Sequence, residues 1–152
     1  MSTGDYEQQT GVVEQSREFF QAFEGAFLSE PVGDVFGTPF VGLSDWNTTT
    51  YPAAEIIPQS AVYQGNNEYQ YSAFVTLYFR RSRFTNYADD ILPIVSGVVR
   101  ACYGALADTT LHSYNVAEVE FFPAEDDNRT ALTAVTTRWE AGGFVVLGPG
   151  DE

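Results

Sequence analysis

Between residues 69 and 81 the chain alternates with a period of two, and that pattern limits the folds open to it. Tyr69, Tyr71, Ala73, Val75, Leu77 and Phe79 fall on one face; Gln70, Ser72, Phe74, Thr76, Tyr78 and Arg80 fall on the other. An alternating strand is half-buried, so one face must meet a core. Its length suits a sheet that projects beyond a small core. The sequence offers two amphipathic covers for that face. Residues 5–28 read as a helix with Val12, Ser16, Phe19, Phe20, Phe23 and Phe27 on one stripe, ended by Pro31 and Gly33. A second helix begins at Asn86 as N-cap, with Asp89 and Asp90 at its positive end. Its stripe is Ile91, Val95, Val98, Cys102 and Leu106, and Pro93 either lies in its first turn or kinks it.

Further strands follow from the same reasoning. Residues 51–63 read as a strand that Pro52 and Pro58 confine to an edge or an irregular path. Residues 64–68 are a turn cluster. Residues 114–122 and 130–140 read as a hairpin around an acidic turn. In its first strand Asn115, Ala117, Val119 and Phe121 oppose Tyr114, Val116, Glu118 and Glu120; in the second, Ala131, Thr133, Val135, Thr137 and Trp139 share a face. Gly142 and Gly143 are expected to break the chain. The apolar Phe144, Val145, Val146 and Leu147 then fold back as an extra strand, the favoured reading, or dock on a neighbour by strand addition. Residues 29–50 show little regular pattern beyond a short strand within 35–41, and a segment of that kind is usually functional. Its aromatics Phe36, Phe40 and Trp46 are expected to touch another subunit. The expected class is α+β: a mostly antiparallel sheet of about four to five strands with two main helices packed on one face. The 152 residues make one domain, 1–152, with a flexible N-terminus at 1–4 and an apolar C-terminal tail or arm at 142–152.

Charge narrows the setting. Seven basic residues against 21 acidic ones leave a net charge of −14, and all seven are arginine. That balance disfavours the usual electrostatic route to DNA, which needs a basic face. Hydrophobic residues at 44% and aromatics at 15% exclude a disordered acidic chain. A domain this acidic repels itself in dilute salt. In molar salt the Debye length falls to about 3 Å and the repulsion fades, while carboxylates keep the surface hydrated. The absence of lysine favours a salt-adapted protein of a halophilic archaeon or its virus over an ordinary acidic one. No run approaches the ~18 uninterrupted apolar residues of a spanning helix. Residues 1–5 do not resemble a secretory signal, so a soluble chain made in a cytoplasm is expected, without membrane contact, and the sequons at Asn47 and Asn128 read as chance.

The chemistry-bearing residues are sparse. One cysteine and one histidine exclude an intrachain disulfide, a multi-cysteine zinc site and H-E-x-x-H. There is no phosphate loop, no dinucleotide fingerprint and no nucleophile elbow. A Cys102–His112 couple would require the thiol to leave its apolar stripe. His112 falls in a helix-to-strand turn with no orienting partner nearby in sequence. Glu118 and Glu120 share a strand face that could bind a cation, but a solvated acidic face is the better reading. No catalytic residue, metal or cofactor is expected. Arg80, Arg81 and Arg83 stand out, with three of the seven cations at the end of the longest strand. An exposed strand end tied to nearby acids and a contact with an acidic partner or passing DNA phosphates weigh equally.

In element order the chain resembles the tail terminator (tail completion) proteins of long-tailed phages and archaeal viruses, over residues 5–141. The resemblance rests on the leading helix and the strand Tyr51-Pro52-Ala53-Ala54-Glu55-Ile56-Ile57-Pro58. The long strand Tyr71-Ser72-Ala73-Phe74-Val75-Thr76-Leu77-Tyr78-Phe79 and the helix from Tyr87-Ala88-Asp89-Asp90-Ile91 to Ala105-Leu106 extend it. The hairpin from Val116-Ala117-Glu118-Val119-Glu120-Phe121 to Leu132-Thr133-Ala134-Val135 completes it. It is a pattern of elements, not a strict motif. The resemblance implies a non-enzymatic virion protein of the tail or neck. Such a protein forms a hexameric ring that caps the tail tube and meets the head-side connector or head-closure protein, while DNA passes through the lumen. Arg80, Arg81 and Arg83 are assigned to an interface with an acidic neighbour, and Phe144, Val145, Val146 and Leu147 to a subunit contact. The alternatives are another neck part, such as a head-closure protein, and a small cytoplasmic ligand-binding domain of a halophile with its pocket in the 29–50 loop. An enzyme ranks behind both.

Overall fold

The computed structural model describes residues 3–29, 32–36, 40–41, 52–80, 84, 86–122 and 132–145. Helix α1 (Thr3–Leu28) is followed by a short helix α2 (Val32–Phe36) and a two-residue strand β1 (Phe40–Val41). Strands β2 (Ala53–Gly65) and β3 (Glu68–Arg80) form a hairpin. A π-helical turn (Tyr87–Ile91) runs into α3 (Leu92–Ala107), and β4 (Ser113–Phe122) and β5 (Leu132–Phe144) complete the sheet. The strand order is β1-β2-β3-β5-β4. All neighbours are antiparallel except β1, which lies parallel to β2 at Glu55 and Ile56. The chain is α+β, as the alternation and the two helical stripes require.

The two long helices share one face of the sheet. Phe19, Phe23 and Phe27 of α1 and Val95, Val98, Cys102 and Leu106 of α3 are buried with Tyr71, Ala73, Val75, Leu77 and Phe79 of β3. Trp139 of β5 sits among them. Its ring meets Phe23 and Tyr103 edge-on at 5.5 and 4.9 Å, and its Nε1 donates to Thr137 Oγ1 at 2.9 Å. Each such large side chain contributes about 1.5–3 kcal/mol by leaving water.

Asn86 caps the π turn as expected: its Oδ1 accepts from the Asp89 N–H at 3.0 Å. Pro93 falls in the first turn of α3, at its junction with the π turn; having no N–H, it cannot continue the π ladder that the Leu92 N–H makes to Tyr87 O. The π turn and α3 form one helix, Tyr87–Ala107, whose length and composition alone would suffice to cross a membrane. A count of uninterrupted apolar residues does not reveal this, because isolated polar residues break the run. Its buried stripe packs into the core.

The hairpin turn follows its chemistry. Gly65, Asn66 and Asn67 take positive φ of 98°, 54° and 61°, the left-handed region that asparagine and glycine tolerate best. Pro58 sits within β2, beyond the stretch that β1 covers, so its missing N–H breaks no ladder bond on that side. The register shifts just after it.

Several expectations are corrected. Gly142 and Gly143 do not break the chain; β5 runs through both to Phe144. A side chain at Gly143 would collide with the Gln15 carboxamide, and one at Gly142 with Ser113 Oγ and the His112 ring. The glycines therefore provide room for neighbours within a continuous strand. Residues 142–145 consequently belong to the sheet rather than to a tail. Phe144 ends β5 and Val145 donates its N–H to Asn67 O at 2.8 Å, so the two prolong an existing strand instead of forming an extra one. Residues 35 and 36 are helical, not extended. Phe36 is a core residue rather than a surface contact, packed edge-on against Phe27 and Phe79 at 5.5 and 5.9 Å. In β4 a bulge at Ala117 reverses the alternation: Val116 opposes Trp139, yet Glu118 opposes Arg138. Tyr114 and Val116 therefore share the helix side with Val119 and Phe121, while Glu118 and Glu120 remain together on the other face.

Candidate functional site

The surface features gather at the edges of the sheet and at the hairpin that overhangs it. Residues 57–64 of β2 are all exposed, so this half of the hairpin extends past the helix layer. A ladder of rings ties it to the core: Phe19 to Tyr71 at 6.1 Å, Tyr71 to Tyr69 at 6.4 Å, Tyr69 to Tyr63 at 5.2 Å. Val62 and Tyr63 stand half open to solvent. Among the described residues, no strand pairs with β2 beyond Ile56 on its outer side, and none with the outer side of β4. That second edge carries Val119, Phe121 and Phe122, all exposed. The Phe121 ring meets Tyr87 at 5.7 Å.

Two polar devices hold the overhanging hairpin to the rest. The first is Gln15 of α1, which is buried. Its Oε1 accepts from the Tyr71 hydroxyl at 2.6 Å and its Nε2 donates to Phe144 O at 3.2 Å. Burial is the main cause that raises the Tyr71 pKa above the usual phenol range, with Tyr69 and Glu18 adding to it. The second is His112, whose Nε2 lies 3.0 Å from Glu68 Oε2 beside the hairpin turn. The Phe144 ring lies against the imidazole at 4.6 Å. Glu68 is thus the partner that local sequence did not offer His112; it lies one strand and one helix earlier in the chain, and only the sheet register brings the two together.

Cys102 is fully buried in the α3 stripe, and burial pushes its thiol up to about 12. The native thiol is therefore expected to resist aromatic disulfide reagents at pH 8 and to react once the chain unfolds. A free thiol titrates near 8.5, so above that pH the unfolded chain releases a proton the folded chain keeps. Stability is expected to fall as pH rises from about 8.5 towards 12, and to be indifferent to this group below that window. A denaturation series across that range checks it, with Cys102→Ala as the reference that retains the alkaline loss due to the buried Tyr71; the wild type should fall more steeply than this variant.

The helix-free face of the sheet combines acidic and polar side chains with the apolar Ile57, Val62, Phe74 and Phe122. Glu118 and Glu140 flank Arg138, 3.9 and 3.3 Å from its guanidinium. Thr76 and Thr136 exchange a hydroxyl hydrogen bond, as do Ser60 and Ser72. No group of three potential metal ligands occurs among the described residues. An open groove of about 430 Å³ runs between α1 and the end of β5, lined by Glu14, Gln15, Arg17, Glu18, Gln21 and Phe144. A smaller one, about 150 Å³, lies at the base of the hairpin between Glu68, Gln70, Asn115 and Glu140. Neither lies in the 29–50 segment expected to form a pocket.

Of the expected interface residues, Arg80 ends β3, exposed. Phe144 is exposed and Val145 buried at the far end of β5. In the β3–β5 ladder Arg80 opposes Leu132 and Glu68 opposes Phe144, so Arg80 and Phe144 lie at opposite ends of the sheet and form no single patch. Arg81, Arg83, Trp46, Val146, Leu147 and the Phe40 side chain lie outside the described residues. The edge residues Val62, Tyr63, Val119, Phe121 and Phe122 were not among the expected contacts: the prolines marked residues 51–63 as an edge or irregular strand, but the β4 edge follows from a strand order that no local pattern encodes. No protein-family model matches the sequence, and no curated protein matches it.

Proposed function

We propose that this chain is a structural subunit of a viral tail or neck. It forms a ring that caps the tail tube and joins it to the head-side connector or head-closure protein, in a virus of a salt-adapted host. The observation that supports this reading most is the sheet's two edges, β2 beyond Ile56 and the outer side of β4, with which no strand pairs among the described residues. Pro58, Glu118, Glu120 and the bulges blunt parts of both edges, yet Val62, Tyr63, Val119, Phe121 and Phe122 remain exposed along them, apolar side chains that a ring contact would cover. The acidic helix-free face suits a lumen through which DNA slides without being held. Element order supports the tail-terminator assignment within that class.

The experiment is the native mass and negative-stain image of the purified chain in molar KCl. A six-fold ring with a central hole is the expected result. A chain that stays monomeric both alone and with tube ends overturns the proposal. The groove beside Gln15 supports a second reading, a ligand-binding domain, which a monomer with a bound small molecule would favour.

A further inference from the structure

Given the ring reading, on which this inference rests, we propose that the sheet closes on itself between copies. Residues 118–122 of β4 in one copy lie antiparallel on residues 60–63 of β2 in the next.

The two segments are matched in length and continuity. Pairing on β2 is irregular after Pro58 and again after Tyr63, which leaves residues 60–63 as its one regular stretch beyond β1. Pairing on β4 is irregular at Ala117, which divides it into 113–116 and 118–122, and only the second stretch carries the exposed Val119, Phe121 and Phe122. Bulges twist an edge away from a would-be partner, so these two stretches are where a neighbour can add backbone hydrogen bonds.

Direction follows from topology. Each of the four long strands runs antiparallel to its neighbour in the order β2-β3-β5-β4, so β2 and β4 run in opposite senses. A copy placed beside the first by a rotation that preserves strand direction therefore meets β4 with an antiparallel β2. Strand β1 occupies the inner half of that β2 edge, at Glu55 and Ile56, and restricts the neighbour to the overhanging half. Such a contact is heterologous and uses both edges of every subunit; because 60–62 lie level with 113–115 through the ladders, pairing them with 118–122 staggers neighbouring copies, and the ring closes with its strands tilted to the ring axis.

Side chains favour this pairing over the two symmetric ones. Residues 57–65 of β2 carry no charge, whereas β4 presents Glu118 and Glu120. Two β4 edges laid antiparallel would set these carboxylates against their own copies, which is destabilising, in a chain already at −14. Two β2 edges would meet without penalty, but would leave Phe121 and Phe122 exposed and stop at a dimer. In the mixed pairing, Tyr63 meets Val119 and Phe121 on the helix side, and all three are exposed in the single chain. Val62 shares the opposite face with Glu118, Glu120 and Phe122.

The test uses the full chain in molar KCl with single cysteines at exposed sites. Val62→Cys is mixed, under mild oxidation, with each of Glu118→Cys, Glu120→Cys and Phe122→Cys. Native Cys102 is buried and stays silent. Disulfide-linked dimers are expected in at least one mixture and in none of the four variants alone, because only opposed positions bring Cα atoms within about 7 Å. Linkage of Val62→Cys with itself assigns β2 to a symmetric contact and overturns the proposal, as does self-linkage of a β4 variant. Rings that form with no linkage in any mixture overturn this interface and leave the ring reading standing. Absence of rings overturns the ring reading first.

Discussion

Trp139→Ala is expected to lower the free energy of unfolding by about 3–5 kcal/mol, a large share of the roughly 5–15 kcal/mol typical of a domain. The indole is fully buried where α1, α3 and β5 converge, against Phe23 on one side and Tyr103 on the other. Truncation removes its transfer energy and leaves a cavity that two helices and a central strand cannot collapse to fill. It also deprives both rings of their edge contacts, each worth about 0.5–1.5 kcal/mol beyond area. Thr137 is not orphaned, since its hydroxyl still donates to Val75 O at 3.1 Å. Trp139→Phe should therefore recover much of the loss. Urea melts of the three proteins in molar KCl decide it; a loss below about 1 kcal/mol for the alanine variant contradicts the packing described.

Gly143→Ala should cost more than a strand substitution of this size normally does, since alanine outranks glycine in a strand interior. Its Cβ falls on the Gln15 carboxamide. Overpacking alone costs about 1–3 kcal/mol. Displacing Gln15 strips the buried Tyr71 hydroxyl of its acceptor, which costs about 1–3 kcal/mol more. Gln15→Ala produces the second loss without the first and opens the space that a methyl group at position 143 needs. The double variant is then expected to be more stable than the two single losses predict, with a coupling of about 1 kcal/mol or more. Strict additivity would mean that the two residues do not compete for the same volume.

What was legible in the sequence was whatever repeats at short range. The period of β3, the stripes of α1 and α3 and the Asn86 cap each arise from neighbours within one turn or one pleat. Misreadings came where a single residue changes phase or where a distant group explains a local oddity. Ala117 shifts the parity of β4, and nothing in its own chemistry announces a bulge. Gly142 and Gly143 look like breakers until Gln15, Ser113 and His112 are seen to occupy the missing side-chain space. Phe36 resembled a loop aromatic because its partners, Phe27 and Phe79, belong to other elements. Pro52 and Pro58 already marked β2 as an edge or irregular strand, but the β4 edge could not be read, since β5 inserts between β3 and β4 only in three dimensions.

That insertion sets a timetable for synthesis. On the ribosome, β5 emerges after every other strand, yet its place is between two that are already made. Until it arrives, β3 has only β2 beside it, β4 has no partner, and Trp139 is not there to receive Phe23 of the first helix. Half-made chains therefore carry an uncovered phenylalanine stripe and open strand backbones, the conditions under which nascent proteins aggregate. Closing contacts of such long sequence separation also makes folding slow. Carboxylates, which stay hydrated where salt screens their repulsion, act against that aggregation during the wait.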